Sequence, residues 1–275
     1  SKHDSRFWTA LSLLYMGDLD AARPHTLVLR DLAERRNTPR QLASRSLQAI
    51  TFLSSLEGDW KSAREYSDRG LELSPLNTIL LATRVLLEHE TGEFDQGEVY
   101  LERLLEAMRR AEFFASARTA MALAAIARIT GVPNRLEIAE TAAQSLLLEQ
   151  SVTPLVAMWA KAGLALLAVQ TGDQSAAAEH YSYLLGQQST MASTVISADR
   201  LLGLLSQTMG DLDQATEHFE DALVFCREAT GPSWRGPAAT TRTCCWNETT
   251  KAKSRRPHPC LTSPWPSPAS WACGP

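Results

Sequence analysis

Several kinds of protein are excluded by what this sequence has little of. Cysteine is nearly absent from the first 230 residues, where only Cys226 occurs; the other four lie after Gly231. A disulfide scaffold is therefore not expected there, and disulfides are not expected at all in a chain read as cytoplasmic. Aromatics are 7% of the chain, and Val, Ile and Thr never gather in an alternating run. That argues against a sheet protein, while Ala and Leu, both strong helix formers, dominate residues 1–230. No apolar run approaches the ~18 residues that would span a bilayer, the longest candidate being 121–127. The beginning, Ser1-Lys2-His3-Asp4, has neither a signal-peptide pattern nor an initiator Met, which reads as a piece of a cytoplasmic protein lacking its upstream part.

Catalytic signatures are missing as well. No G-x-x-x-x-G-K-S/T phosphate loop, no G-x-G-x-x-G and no H-E-x-x-H occurs. The six histidines, His3, His25, His89, His180, His218 and His258, are scattered rather than convergent. His180 and His218 occupy equivalent positions beside Tyr181 and Phe219, which favours a packing or surface role over catalysis. No enzyme activity and no cofactor is expected. Cys244, Cys245, His258, Cys260 and Cys273 lack the spaced pairs of a zinc site, so no metal is expected either.

What is present is a repeat. A Gly opening a short polar turn recurs at Gly17, Gly58, Gly92, Gly131, Gly172 and Gly210, at intervals of 41, 34, 39, 41 and 38 residues. Five of these turns continue with an acid: Gly17-Asp18, Gly58-Asp59, Gly92-Glu93, Gly172-Asp173 and Gly210-Asp211. Gly ends a helix by adopting the left-handed conformation, and the acid caps or favours the start of the next. Five residues after each of those glycines stands a small residue, Ala22, Ala63, Gly97, Ala177 or Ala215, where two helices can approach closely. Apolar positions follow at Leu101, Tyr181 and Phe219, then at Leu104, Leu184 and Ala222. The fold class is all-α: about six antiparallel helical hairpins over residues 1–230. Between residues 104 and 115 neither Gly nor Pro marks a stop, so no helix boundary is written there.

The sixth unit carries a fuller pattern: Leu202-Gly203, then Gly210, Ala215, Phe219 and Ala222; the second unit ends at Pro75. This resembles the tetratricopeptide repeat, in the longer, degenerate form of MalT-like bacterial regulators. The resemblance covers residues 3–230. It departs from the family in the longer turn at Gly131-Val132-Pro133-Asn134, in a spacing above 34 residues, and in first helices that lack the usual aromatic. It implies a right-handed superhelical solenoid whose concave face, lined by the first helix of each pair, binds a protein or peptide partner or a small inducer. By register the candidates are Arg45, Gln48 and Phe52; Arg118, Met121 and Arg128; Trp159, Ala162 and Leu166; and Arg200, Leu204 and Gln207. Arginines on an otherwise acidic chain would favour an acidic peptide or a phosphorylated small ligand. The resemblance further implies the sensor or interaction region of a larger LuxR-type transcriptional regulator, with a class III nucleotide cyclase as the alternative parent. No direct nucleic-acid binding and no membrane association is expected.

The last segment is a different kind of sequence. Residues 1–230 carry 21 basic against 30 acidic residues; 231–275 carry 6 basic and the single acid Glu248, with eight of the 13 prolines and four of the 7 tryptophans. Back-translated and read two bases later, with wobble bases chosen freely, it can encode strings resembling the two helices of a seventh unit. The segment thus reads as a frame-shifted, irregular tail. Its basic run, Lys251, Lys253, Arg255 and Arg256, reads as solvated charge. A sixth hairpin without a neighbour should leave Leu223 and Phe225 partly exposed.

Overall fold

A computed structural model describes residues 2–110, 115–133, 135–149 and 152–230. The tail 231–275 lies outside the described residues. Among those described there are twelve α-helices and no strand; one isolated backbone bridge joins Met191 to Ser197. The helices are α1 (Lys2–Tyr15), α2 (Leu19–Ala33), α3 (Arg40–Glu57), α4 (Trp60–Leu73), α5 (Thr78–Thr91), α6 (Phe94–Arg109), α7 (Ala115–Thr130), α8 (Leu136–Leu147), α9 (Pro154–Thr171), α10 (Gln174–Leu184), α11 (Ala198–Met209) and α12 (Leu212–Thr230).

All six expected turns fall on left-handed glycines, with φ from 70° at Gly131 to 89° at Gly210. A non-glycine residue pays a steric cost in this conformation. The acids act as expected where the side chain is short. Asp18, Asp59, Asp173 and Asp211 each accept a hydrogen bond from a backbone N–H three residues on, at 3.0–3.1 Å. Glu93, one methylene longer, makes no such bond. Ala22, Ala63 and Ala177 are fully buried and Ala215 is 4% exposed, as the close-approach reading requires. In the sixth unit the Phe219 ring lies where a Cβ on Gly203 would stand, only 2.5 Å from it. That explains the Leu202-Gly203 pair: the glycine makes room for the facing aromatic.

Each helix packs on the next, and the odd-numbered helices also pack on one another in sequence, α1 on α3, α3 on α5, α5 on α7, α7 on α9 and α9 on α11. This odd-numbered layer holds most of the core. The reading that no apolar run approaches a membrane-spanning length is corrected by α9, an 18-residue helix of mean hydropathy 1.3. Lys161 and the polar end at Gln170 interrupt its apolar run. The helix is apolar on nearly all sides because α7, α8, α10 and α11 all pack against it.

Two features depart from the periodic reading. The connection between α10 and α11 is long, with a short 3-10 turn at Leu185–Gln187 followed by a buried segment. Met191, Ala192, Ser193 and Ile196 are at most 3% exposed. This segment reaches the first hairpin, where the Met191 N–H donates to the Tyr15 carbonyl at 2.7 Å. The last hairpin also meets the first: α12 contacts α2, and the Phe225 ring lies against Gly17. Phe225 is therefore 8% exposed, not partly open as a terminal hairpin would leave it, because the first hairpin serves as its neighbour. Leu223 is half-buried.

Candidate functional site

The register-derived candidates lie on α3, α7, α9 and α11, the odd-numbered layer. Seven of the ten principal ones, Gln48, Phe52, Arg118, Met121, Trp159, Arg200 and Leu204, are buried, and Arg45, Arg128 and Gln207 are half-buried. Ala162 and Leu166, from the same register, are fully buried.

Four side chains from four helices meet at the centre. Tyr15, at the end of α1, packs edge-on to Phe52 with ring centroids 5.1 Å apart and tilts against Trp159 at 6.0 Å. The Arg118 guanidinium sits 3.4 Å from the Trp159 ring centroid, and its Nη2 donates to the Tyr15 hydroxyl at 3.4 Å. An arginine so placed is held by the ring's negative face in place of water. Arg200 is the largest fully buried side chain of α11. Neither Arg118 nor Arg200 presents charge at the surface, so the field expected from a row of exposed arginines does not form there. Tyr15, held at its carbonyl by Met191 of the α10–α11 connection, packs on Trp159 and bonds Arg118 where the register assigned a partner.

The remaining candidates serve local contacts. Arg45 pairs with Asp4 at 2.9 Å and lies 4.3 Å from the Phe7 ring centroid, tying α3 to α1. The Gln48 amide donates to the Asn77 side chain at 2.7 Å, and Asn77 in turn caps α5. Arg128 and Gln207 lie near the C-terminal ends of α7 and α11.

Sequence reasoning missed a buried ion network between the second and third hairpins. Glu88 on α5 accepts from Arg64 of α4 at 2.7 Å and from Arg84, one turn earlier, at 2.8 Å. Arg84 also bonds Asp68, which accepts from the Tyr100 hydroxyl at 2.9 Å. Burial alone would raise the Glu88 pKa, but the two guanidiniums outweigh it and hold the carboxylate below its ordinary range. The i,i+4 spacing of Arg84 and Glu88 was visible in the sequence, but their burial was not.

Near the closure, Asp18, Asp20, Asp199, Asp221 and Glu228 line a cavity of about 550 Å³. Asp199 is 1% exposed and accepts from the Ser189 N–H at 2.8 Å. Burial pushes its pKa up, against the pull of that N–H, and Asp221 adds to the rise. Among the described residues no group of three His, Cys, Asp or Glu side chains is arranged to hold a metal ion.

Comparison with known proteins brings no match: no protein-family profile, no curated protein and no solved structure matches the chain.

Proposed function

We propose that this chain is a tetratricopeptide-like scaffold, a right-handed superhelical array of six hairpins that holds a protein, peptide or small-inducer partner and catalyses no reaction. The observation that carries the reading is the repeated hairpin: six glycine turns of one conformation, four with the same aspartate cap, joining helices whose odd-numbered members pack in sequence. Arrays of this kind supply extended binding surfaces because each unit adds area without adding a new core. The parent protein proposed is a large bacterial LuxR-type regulator of the MalT kind, in which this region senses or docks and other domains act.

Partner contact by the odd-numbered layer falls to its half-buried residues, Arg45, Arg128 and Gln207, since Arg118, Trp159 and Arg200 are packed inside. The test is a pull-down from a bacterial lysate with the wild-type chain and an Arg45→Ala, Arg128→Ala, Gln207→Ala variant of equal helical content. The proposal expects partners on the wild type and their loss from the variant. Equal recovery by both would remove the inner-layer surface from the proposal. Nucleotide hydrolysis or cyclisation well above a blank would overturn the scaffold reading itself.

A further inference from the structure

From the first hairpin to the fourth, an acid of each even-numbered helix is answered by the next unit. Arg69 of α4 reaches Glu34, at the end of α2, at 3.6 Å. Asp68 of α4 takes Arg84 of α5 and the Tyr100 hydroxyl of α6. Arg135, at the start of α8, pairs with Glu98 and Glu102 of α6 at 3.1 and 3.2 Å. Between α8 and α10 this arrangement stops. Neither helix contains a lysine or an arginine. No hydrogen bond or ion pair joins them among the described residues, and a cleft of about 830 Å³ opens between them.

The floor of the cleft is one stripe of α9, where Leu164, Leu167, Ala168 and Thr171 stand at i, i+3, i+4 and i+7 spacing. Leu147 and Leu148, at the end of α8, extend the apolar surface. Leu148 is 85% exposed, the most open large apolar side chain among the described residues. The rim is acidic. Glu140 of α8, Asp173 at the cap of α10 and Glu179 of α10 line the cleft, and none of the three has an ion-pair partner among the described residues. The one lysine in the lining, Lys161, places its ammonium 4.3 Å from the centroid of the Tyr183 ring. Burial lowers the pKa of His180, so its ring adds no charge at neutral pH.

We propose that the α8–α10 cleft docks a basic amphipathic helix of a partner protein, with its apolar stripe along α9 and its lysines or arginines on Glu140, Asp173 and Glu179. A helix is the matching occupant because an apolar stripe at i, i+3, i+4 and i+7 spacing is met by the same spacing on another helix. Basic residues are selected because the rim carboxylates are unanswered within the chain, and the same carboxylates repel nucleic acid and anionic membranes. The partner supplies the cation that α8 and α10 lack. The inference rests on the scaffold reading for the class of partner and goes beyond it in the surface and the chemistry.

The experiment is a fluorescence-anisotropy titration of the full chain against three synthetic peptides of about four helical turns. One is built of leucine and lysine with the leucines at helical spacing, one has the same composition with that spacing scrambled, and one has glutamate in place of lysine. Saturable one-site binding of the helical leucine–lysine peptide is expected, with the other two about tenfold weaker. A Glu140→Arg, Glu179→Arg variant should reverse the preference, losing the lysine peptide and gaining the glutamate one. Both positions are exposed, so the helical content should be that of the wild type. Should that variant fail to fold, Leu148→Asp should weaken binding about tenfold on its own. No saturable binding, equal binding of the scrambled peptide, or an unchanged preference after charge reversal would each overturn the proposal. So would a sedimenting dimer that Leu148→Asp dissociates, which would assign the cleft to a second copy of the chain. The Arg45→Ala, Arg128→Ala, Gln207→Ala variant should bind the helical peptide as the wild type does. Loss of binding there would move the site to the inner layer and overturn the proposal, whereas a peptide that never binds leaves the lysate test of the inner layer standing.

Discussion

The junction between α4 and α6, of the second and third hairpins, and the junction between α8 and α10, of the fourth and fifth, are built on the same pairing of helices, yet one is filled and the other open. At the first, Arg64, Arg84, Glu88, Asp68 and Tyr100 form a continuous network across three helices. At the second, a cleft lined by Leu147, Leu164, Leu167 and His180 opens, and no hydrogen bond or ion pair crosses it among the described residues. A left-handed glycine ends the first helix of the hairpin on either side of both, at Gly58 and Gly92 and at Gly131 and Gly172, although the turn after Gly131 is longer and has a second left-handed residue at Arg135. A repeat therefore fixes where helices lie, while the side chains between them decide whether a junction is part of the core or a site.

The sharpest way to break this comparison is to remove Glu88. Arg84, buried, would keep only the half-exposed Asp68, and Arg64 would lose its carboxylate, a loss toward the lower end of about 3–5 kcal/mol. Urea unfolding of Glu88→Ala should show it, and a loss below about 1 kcal/mol would mean the network is not the lock described. Phe225→Ala comes next, at about 3 kcal/mol, because the ring is the apolar contact between the last hairpin and Gly17. A change no larger than that of a surface substitution would place Phe225 outside any core. Ala215→Leu should cost about 1–3 kcal/mol by overpacking the sixth hairpin, and an unchanged melting temperature would count against its register.

Acid pH separates the two buried carboxylates by sign. The folded pKa of Glu88 is depressed, so its contribution is complete above the unfolded value of about 4.3 and is lost as pH falls through the folded value. That of Asp199 is raised, so the folded state holds its proton more tightly. Its contribution is complete below the unfolded value of about 3.9 and is lost as pH rises through the folded value. Asp199→Asn should flatten the stability profile above that point, and a profile unchanged from wild type would contradict the assignment. The smallest effect belongs to the open junction. His180→Ala should change stability by less than about 1 kcal/mol, because no native partner is lost; a loss as large as that of Glu88→Ala would reveal a bond not seen here.

The turns were legible in the sequence because each rests on a local constraint, a glycine at positive φ and an aspartate that caps the next helix. Ala63, Ala177 and Ala215 were legible for the same reason, being set by the spacing from that glycine. The candidate inner residues were placed on the correct helices, but their surroundings were not readable. What buries Trp159 and Arg118 is Tyr15, more than a hundred residues away, and what reaches Tyr15 is the aperiodic 185–197 connection. No short-range pattern records such a contact. His180 and His218 were recognisably equivalent, but only the structure shows that His218 meets a tyrosine, Tyr181.

Closure of the array decides whether the odd-numbered layer is core or binding surface. Pulsed electron–electron resonance between spin labels at the exposed positions Asp20 on α2 and Val224 on α12 measures it directly. The account predicts one narrow, short distance, with the first and last hairpins in contact. A broad distribution at longer distance would show an open array, returning Arg118, Trp159 and Arg200 to the surface and contradicting the closed arrangement.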